Sequence, residues 1–84
     1  MGATLFLSII SSDKIIYSAD VLSAVVPAEF GYMGILANHA PIVAHLVKGR
    51  ITVRENLQAK EMIFELGDSG GFLEVFGNKA TVVI

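Results

Sequence analysis

The feature that most constrains this chain is the period-two alternation of apolar side chains along most of its length. Leu5, Leu7 and Ile9 share one phase, with Phe6, Ser8 and Ile10 in the other. Ile51 and Val53 alternate with Arg50, Thr52 and Arg54; Met62, Phe64 and Leu66 alternate with Glu61, Ile63 and Glu65. Leu73 and Val75 alternate with Phe72, Glu74 and Phe76. Successive side chains of a strand point to opposite faces, so this pattern asks for half-buried β-strands. Val21, Ser23 and Val25 alternate with Leu22, Ala24 and Val26, and Pro27, which cannot donate to a ladder, is expected to end that strand. Lys60 to Leu66 has helical propensity, but Ile63-Phe64 and the alternating glutamates favour a strand there too.

The turns punctuate the same reading. Gly77-Asn78 between two β-rich runs is a two-residue hairpin signal, since both residues tolerate the positive φ such turns need. Ser11-Ser12-Asp13-Lys14 and Asn56-Leu57-Gln58-Ala59 are polar breaks of hairpin length, and Gly67 to Gly71 is a looser connection. The expected fold is all-β: a flattened β-sandwich or barrel of about eight to ten short, mostly antiparallel strands. No repeat, linker or low-complexity tract divides residues 1–84, which form one domain. Thr81-Val82-Val83-Ile84 reads as the middle or end of a strand, as in a naturally short protein or one cut at a domain boundary.

A single domain of 84 residues is near the lower end of what folds alone. It has no cysteine, so neither disulfides nor thiolate-bound metal can supplement its core, and a reducing compartment is expected. Apolar residues make up 54% of the chain, more than a small core needs, which hints at apolar surface kept for a partner. The net charge of −2 is scattered, without the clustered Lys and Arg of a nucleic-acid footprint. No apolar run is long enough to span a bilayer, and Leu5 to Ile10 is too short for a signal-peptide core.

Catalytic and metal chemistry find little to work with. His39 and His45 are the only histidines, six apart, with no carboxylate close in sequence to complete a tetrahedral set. Ser11, Ser12, Asp13 and His39 are the residue types of a hydrolase, but no Gly-x-Ser-x-Gly elbow is present, and turn-forming serines explain them. Glu61 and Glu65, four apart on one strand face, would stand ~13 Å apart, too far for paired-carboxylate chemistry. Gly67-Asp68-Ser69-Gly70-Gly71 lacks the Gly-Lys-Ser/Thr and following helix of a phosphate loop. No cofactor, metal or small-molecule ligand is expected.

One segment departs from plain alternation: Gly31-Tyr32-Met33-Gly34-Ile35-Leu36-Ala37-Asn38-His39-Ala40-Pro41. Gly31, Gly34 and Asn38 admit unusual φ, and Pro41 drives Ala40 to an extended conformation, so the segment reads as a shaped loop presenting His39. It resembles the signature loop of the epsilon subunit of rotary ATP synthases, Gly-x-x-Gly-x-x-Pro-(Gly/Asn)-His-Ala-Pro. Leu7-Ser8-Ile9-Ile10-Ser11, Val25-Val26-Pro27, Gly70-Gly71-Phe72-Leu73-Glu74-Val75 and Ala80-Thr81-Val82-Val83 follow that family's order, so the resemblance covers essentially the whole chain. It is confined to the family's N-terminal β-sandwich, because the C-terminal pair of helices is missing.

The resemblance implies a non-catalytic central-stalk (rotor) subunit of a proton-translocating ATP synthase. Such a domain docks on the gamma subunit and the c-ring, and through them serves the alpha and beta subunits, coupling ion flow to ATP synthesis. It would be peripheral, at the cytoplasmic face of a bacterial inner membrane or the equivalent organelle face, held there only by partner subunits. Ser11 and His39 would face gamma; Glu29, Tyr32 and Met33, at the tip of the loop, would face the ring. ATP binding, which belongs to the helices of some members, is not carried over, nor is inhibition of hydrolysis. Ala37 replaces the loop's usual proline, which costs about 0.4 to 1 kcal/mol of preorganisation. Where some members carry an acid before the second glycine, this chain has Tyr32 and Met33, with Glu29 near enough to substitute. A stand-alone ligand- or carbohydrate-binding sandwich is the alternative, against which stand two Tyr, five Phe and no Trp.

Overall fold

The computed structural model describes residues 3–84, so the first two positions of the domain lie outside the described residues. Nine strands follow one another without a helix among the described residues: β1 (Leu5–Ser11), β2 (Lys14–Val21), β3 (Ser23–Ala28), β4 (Gly31–Leu36), β5 (Ile42–Leu46), β6 (Gly49–Arg54), β7 (Met62–Leu66), β8 (Gly71–Phe76) and β9 (Lys79–Val83). The expected all-β sandwich is what forms. The strands make one curled sheet in the order β2-β1-β9-β8-β5-β3-β6-β7, with β4 paired to β3. The curl divides it into two layers, β2-β1-β9-β8-β5 and β4-β3-β6-β7. They are joined at a corner where Ala28 of β3 pairs with Leu46 of β5.

The alternation places the core. Leu5, Leu7, Ile9, Leu73, Val75, Ala80 and Val82 of the first layer meet Ala24, Val26, Ile35, Ile51 and Val53 of the second, all essentially inaccessible. Each fully buried Leu, Ile or Val contributes about 1.5–3 kcal/mol, which is how a domain of this size holds without disulfides. All pairings are antiparallel except one. β9 lies parallel to β1, with Leu7 opposite Ala80 and Ile9 opposite Val82.

Three local expectations change. Val21 to Val26 is two strands, because the chain breaks at Leu22, whose amide donates to the Arg54 carbonyl at 2.8 Å as it passes between layers. Pro27 does not end β3 but pairs with Tyr32 inside it. Its carbonyl accepts from Val47 N at 2.8 Å, and its missing N–H faces the same side, at the corner where β6 has left β3 and β5 has yet to join. The glycine-rich segment is not a loop throughout: Gly31–Leu36 is β4, and only residues 37–41 turn.

Ser12 (φ 49) and Asp13 (φ 64) make the β1–β2 turn, and Gly77 (φ 57) and Asn78 (φ 59) the β8–β9 turn, both with the left-handed pairs of a type I′ hairpin. The β6–β7 connection, residues 55–61, is longer than its polar break suggested; there the Asn56 side chain accepts from the amides of Gln58 (3.0 Å) and Ala59 (2.8 Å).

Candidate interaction surfaces

Strand directions sort the turns into two ends of the sandwich. One end carries the β1–β2 turn, the β3–β4 turn at Glu29-Phe30, the β5–β6 corner at Val47-Lys48 and the β7–β8 connection. The other carries residues 37–41, the Gly77-Asn78 turn and the start of β1.

Glu29 and Phe30 form the tip of the β3–β4 hairpin, braced against β5 by Glu29 N donating to His45 O at 3.1 Å. Phe30 (71% exposed) and Tyr32 (63%) leave the tip facing outward. Tyr32 lies back over Pro27, and its hydroxyl accepts from Arg50 N at 3.4 Å. Met33 is different. Neighbours on a strand face opposite ways, so Met33, opposite Val26, packs half-buried against the core behind the surface that Tyr32 presents. Other apolar residues around this segment divide likewise: Val26 and Ile35 are core, Leu22 half-buried, Leu36 exposed.

Of the residues read as shaping a loop, Gly31 (φ 126) and Asn38 (φ 63) hold the unusual angles. Gly34 does not: it sits within β4 opposite Val25, and a Cβ added there meets nothing within 4 Å. Pro41 precedes β5 as its extended lead-in. The 37–41 turn is tied down by Asn78, whose Oδ1 accepts from Asn38 N (2.7 Å) while its Nδ2 donates to Thr4 O (2.9 Å). His39 beside it is half-buried, with Nδ1 donating to the Ala40 carbonyl at 2.7 Å. His45 packs against its cross-strand neighbour Phe72, ring centroids 4.4 Å apart and planes tilted by 42°.

Ser11 and His39 do not meet. His39 adjoins Asn78, whose carbonyl accepts from Phe6 N at the start of β1. Ser11 ends the same strand five residues on, ~16 Å away at ~3.3 Å per residue. Between them lies the outer face of the first layer, which sequence reasoning did not single out. Cross-strand register lines up Ile10, Val83 and Phe72 in one row, Ser8, Thr81, Glu74 and Val43 in the next, and Phe6, Lys79 and Phe76 in a third. Val43 (68%) and Phe76 (70%) are mostly exposed, and Phe72 and Val83 about half. A shallow trough of ≈ 270 Å³ runs between Val43, Phe72, Leu73, Glu74, Thr81 and Val83. The signal that could have found this face is apolar residues in both phases of β8, where Phe72 and Phe76 flank Leu73 and Val75.

The outer face of the second layer is more polar. Arg50 pairs with Glu65 at 3.2 Å and Arg54 with Glu61 at 3.4 Å, so both arginines and both glutamates serve cross-strand ion pairs. Among the described residues no group of three or more His, Asp or Glu is placed to hold a metal ion. Among the described residues no helix is long and apolar enough to cross a membrane.

Comparison with known proteins agrees with this geometry. The family described as "ATP synthase, Delta/Epsilon chain, beta-sandwich domain" matches residues 4–84. The ATP synthase epsilon chain of Leptospira borgpetersenii is 42% identical over 76 residues, covering 90% of this chain and 57% of that protein. The ATP synthase epsilon chain of Dichelobacter nodosus is 37% identical over 76 residues, covering 90% and 50%. This chain therefore spans about half the length of the curated relatives it matches. Among solved structures, a chain of the Euglena gracilis mitochondrial ATP synthase (OSCP/F1/c-ring) superposes with a TM-score of 0.84 at 23% identity, covering 99% of this chain and 51% of that one. A chain of the Tetrahymena thermophila mitochondrial ATP synthase central stalk/c-ring superposes with a TM-score of 0.72 at 12% identity, covering 98% and 63%. At those identities the likeness is one of fold.

Proposed function

Because the chain belongs to the delta/epsilon-chain β-sandwich domain family of ATP synthase, we propose that it is a non-catalytic central-stalk subunit, docking on the gamma subunit and the c-ring to couple ion flow to ATP synthesis. The observation that carries the reading is the outer face of the first layer. Ser11 and His39 bracket it, so one partner touching both must lie along β1 and β9 and cover Ile10, Val83, Phe72, Phe6 and Phe76. An apolar row through Val83 and Phe72 on one side of the polar row, and Phe6 and Phe76 flanking Lys79 on the other, suit an elongated partner with matching contacts, and desolvating Phe72 and Phe76 would supply the anchors.

The ring side falls to the β3–β4 hairpin, with Glu29, Phe30 and Tyr32 outermost and Met33 supporting from inside. A tip braced on β5 transmits force because it loses little freedom on contact. The domain has no chemistry of its own in this role. It sits at the membrane's cytoplasmic or equivalent organelle face only through those partners, and alpha and beta feel it indirectly.

The test is recovery of partners on a tagged chain expressed with its own ATP synthase subunits. Gamma-type and ring subunits are expected to co-purify. Phe72→Asp lowers gamma recovery without unfolding the domain, and Gly34→Val, which adds a side chain in open space beside Tyr32 and Leu36, lowers ring recovery. A lone monomer that instead retains a small molecule would refute the reading and favour a stand-alone binding module.

A further inference from the structure

The curled sheet does not close. Its path ends at β2 on one side and β7 on the other, and no backbone ladder joins these two strands. They nevertheless face each other through side chains. The Tyr17 ring of β2 lies 5.3 Å from that of Phe64 on β7, tilted by 55°. Its hydroxyl donates to Glu55 Oε2, one residue past β6 and 38 along the chain. Tyr17 and Phe64 are both half-buried and pack on the core. Among the described residues, no other side-chain hydrogen bond or ion pair links β2 to the β6–β7 segment. Beside this contact β2 is poorly defended: Ile15 and Ile16 are exposed next to a register shift, and its outer edge carries unpaired backbone groups.

We infer that Tyr17 and Glu55 form a latch that keeps the open edge of the sandwich shut, and that this seam is where the domain opens first. A side-chain latch breaks without unmaking a ladder, whereas the corner and the β1–β9 pairing cannot open without losing backbone hydrogen bonds. Release bares Phe64 and two strand edges while leaving β9, β8 and β5 paired. This inference does not depend on what the domain docks to. Burial and the neighbouring carboxylate both push the Tyr17 phenol pKa well above the ordinary tyrosine value, as a group held neutral in such a contact requires.

Hydrogen exchange followed by mass spectrometry on the 84-residue chain tests it. Tyr17→Phe keeps the ring against Phe64 and removes only the donor; Glu55→Gln keeps the shape and weakens the acceptor. Each is expected to speed exchange in β2 and β7 about tenfold, equivalent to about 1.4 kcal/mol of local opening. Rates in β8 and β9 stay as they were, and the double variant exchanges no faster than either single one. Unchanged rates in β2 and β7, equal acceleration in β8 and β9, or a double variant whose effect is the product of the singles would each overturn the latch.

Discussion

Three glycines separate backbone conformation from space. Gly70 is buried at φ +64, and a Cβ built there runs into the carbonyl oxygen of Leu46, next to the corner that joins the layers. Gly77 has nearly the same φ, +57, but open space around it. Gly34 has neither constraint. Left-handed backbone costs an alanine about 1–2 kcal/mol, and forcing a methyl into a packed site adds about 1–3 kcal/mol. Gly77→Ala should therefore lose about 1–2 kcal/mol and Gly70→Ala about 2–5 kcal/mol. Gly34→Ala should stay within about 0.5 kcal/mol or gain slightly, by stiffening the unfolded chain. For a domain of this size each kcal/mol moves Tm by about 4–8 °C, so Gly70→Ala should melt ~8–40 °C below the parent. Thermal unfolding by circular dichroism, with urea titration for the free energies, reads all three. If Gly70→Ala costs no more than Gly77→Ala, the Leu46 backbone yields freely and the corner is not rigid. That result would refute the packing argument.

Tyr17 carries a pH prediction. Its folded pKa is raised, so its contribution is present below the unfolded value of about 10 and is lost as pH climbs from there. Urea unfolding should weaken above about pH 10, by at most ~1.4 kcal/mol per pH unit and less for a half-buried ring, and Tyr17→Phe should flatten that decline. Asn78→Gly keeps the left-handed turn but removes the bonds to Asn38 N and Thr4 O; a loss of about 1–3 kcal/mol and faster amide exchange at Asn38 and His39 are expected. Arg50→Ala breaks an exposed pair with Glu65, so urea unfolding should change by under about 1 kcal/mol, an effect that salt erases.

The alternation of β1, β6 and β8 and the Gly77-Asn78 turn were readable because each depends on residues adjacent in the chain. What escaped reading depends on partners far away. β4 looked like a loop because two glycines interrupt its alternation, yet pairing with β3 holds it extended regardless. The break at Leu22 left the periodicity intact and needed the Arg54 carbonyl to reveal it. Of the candidate contact residues, Glu29 and Tyr32 are exposed, while Met33, turned inward by parity on β4, is half-buried. The outer rows around Phe72 and Phe76 stayed hidden because a strand apolar in both phases does not say which phase meets solvent.

The parallel pairing of β9 with β1 has a consequence for synthesis. The first strand of this domain to leave the ribosome cannot acquire one of its two neighbours until nearly the last residues of the domain have emerged. Through most of translation, then, β1 and β2 can exist only as a two-stranded hairpin with the apolar flank of Leu5, Leu7 and Ile9 uncovered. Folding should be a late, concerted event on the nascent chain, and Leu7 and Ile9 are the side chains that stay uncovered until then.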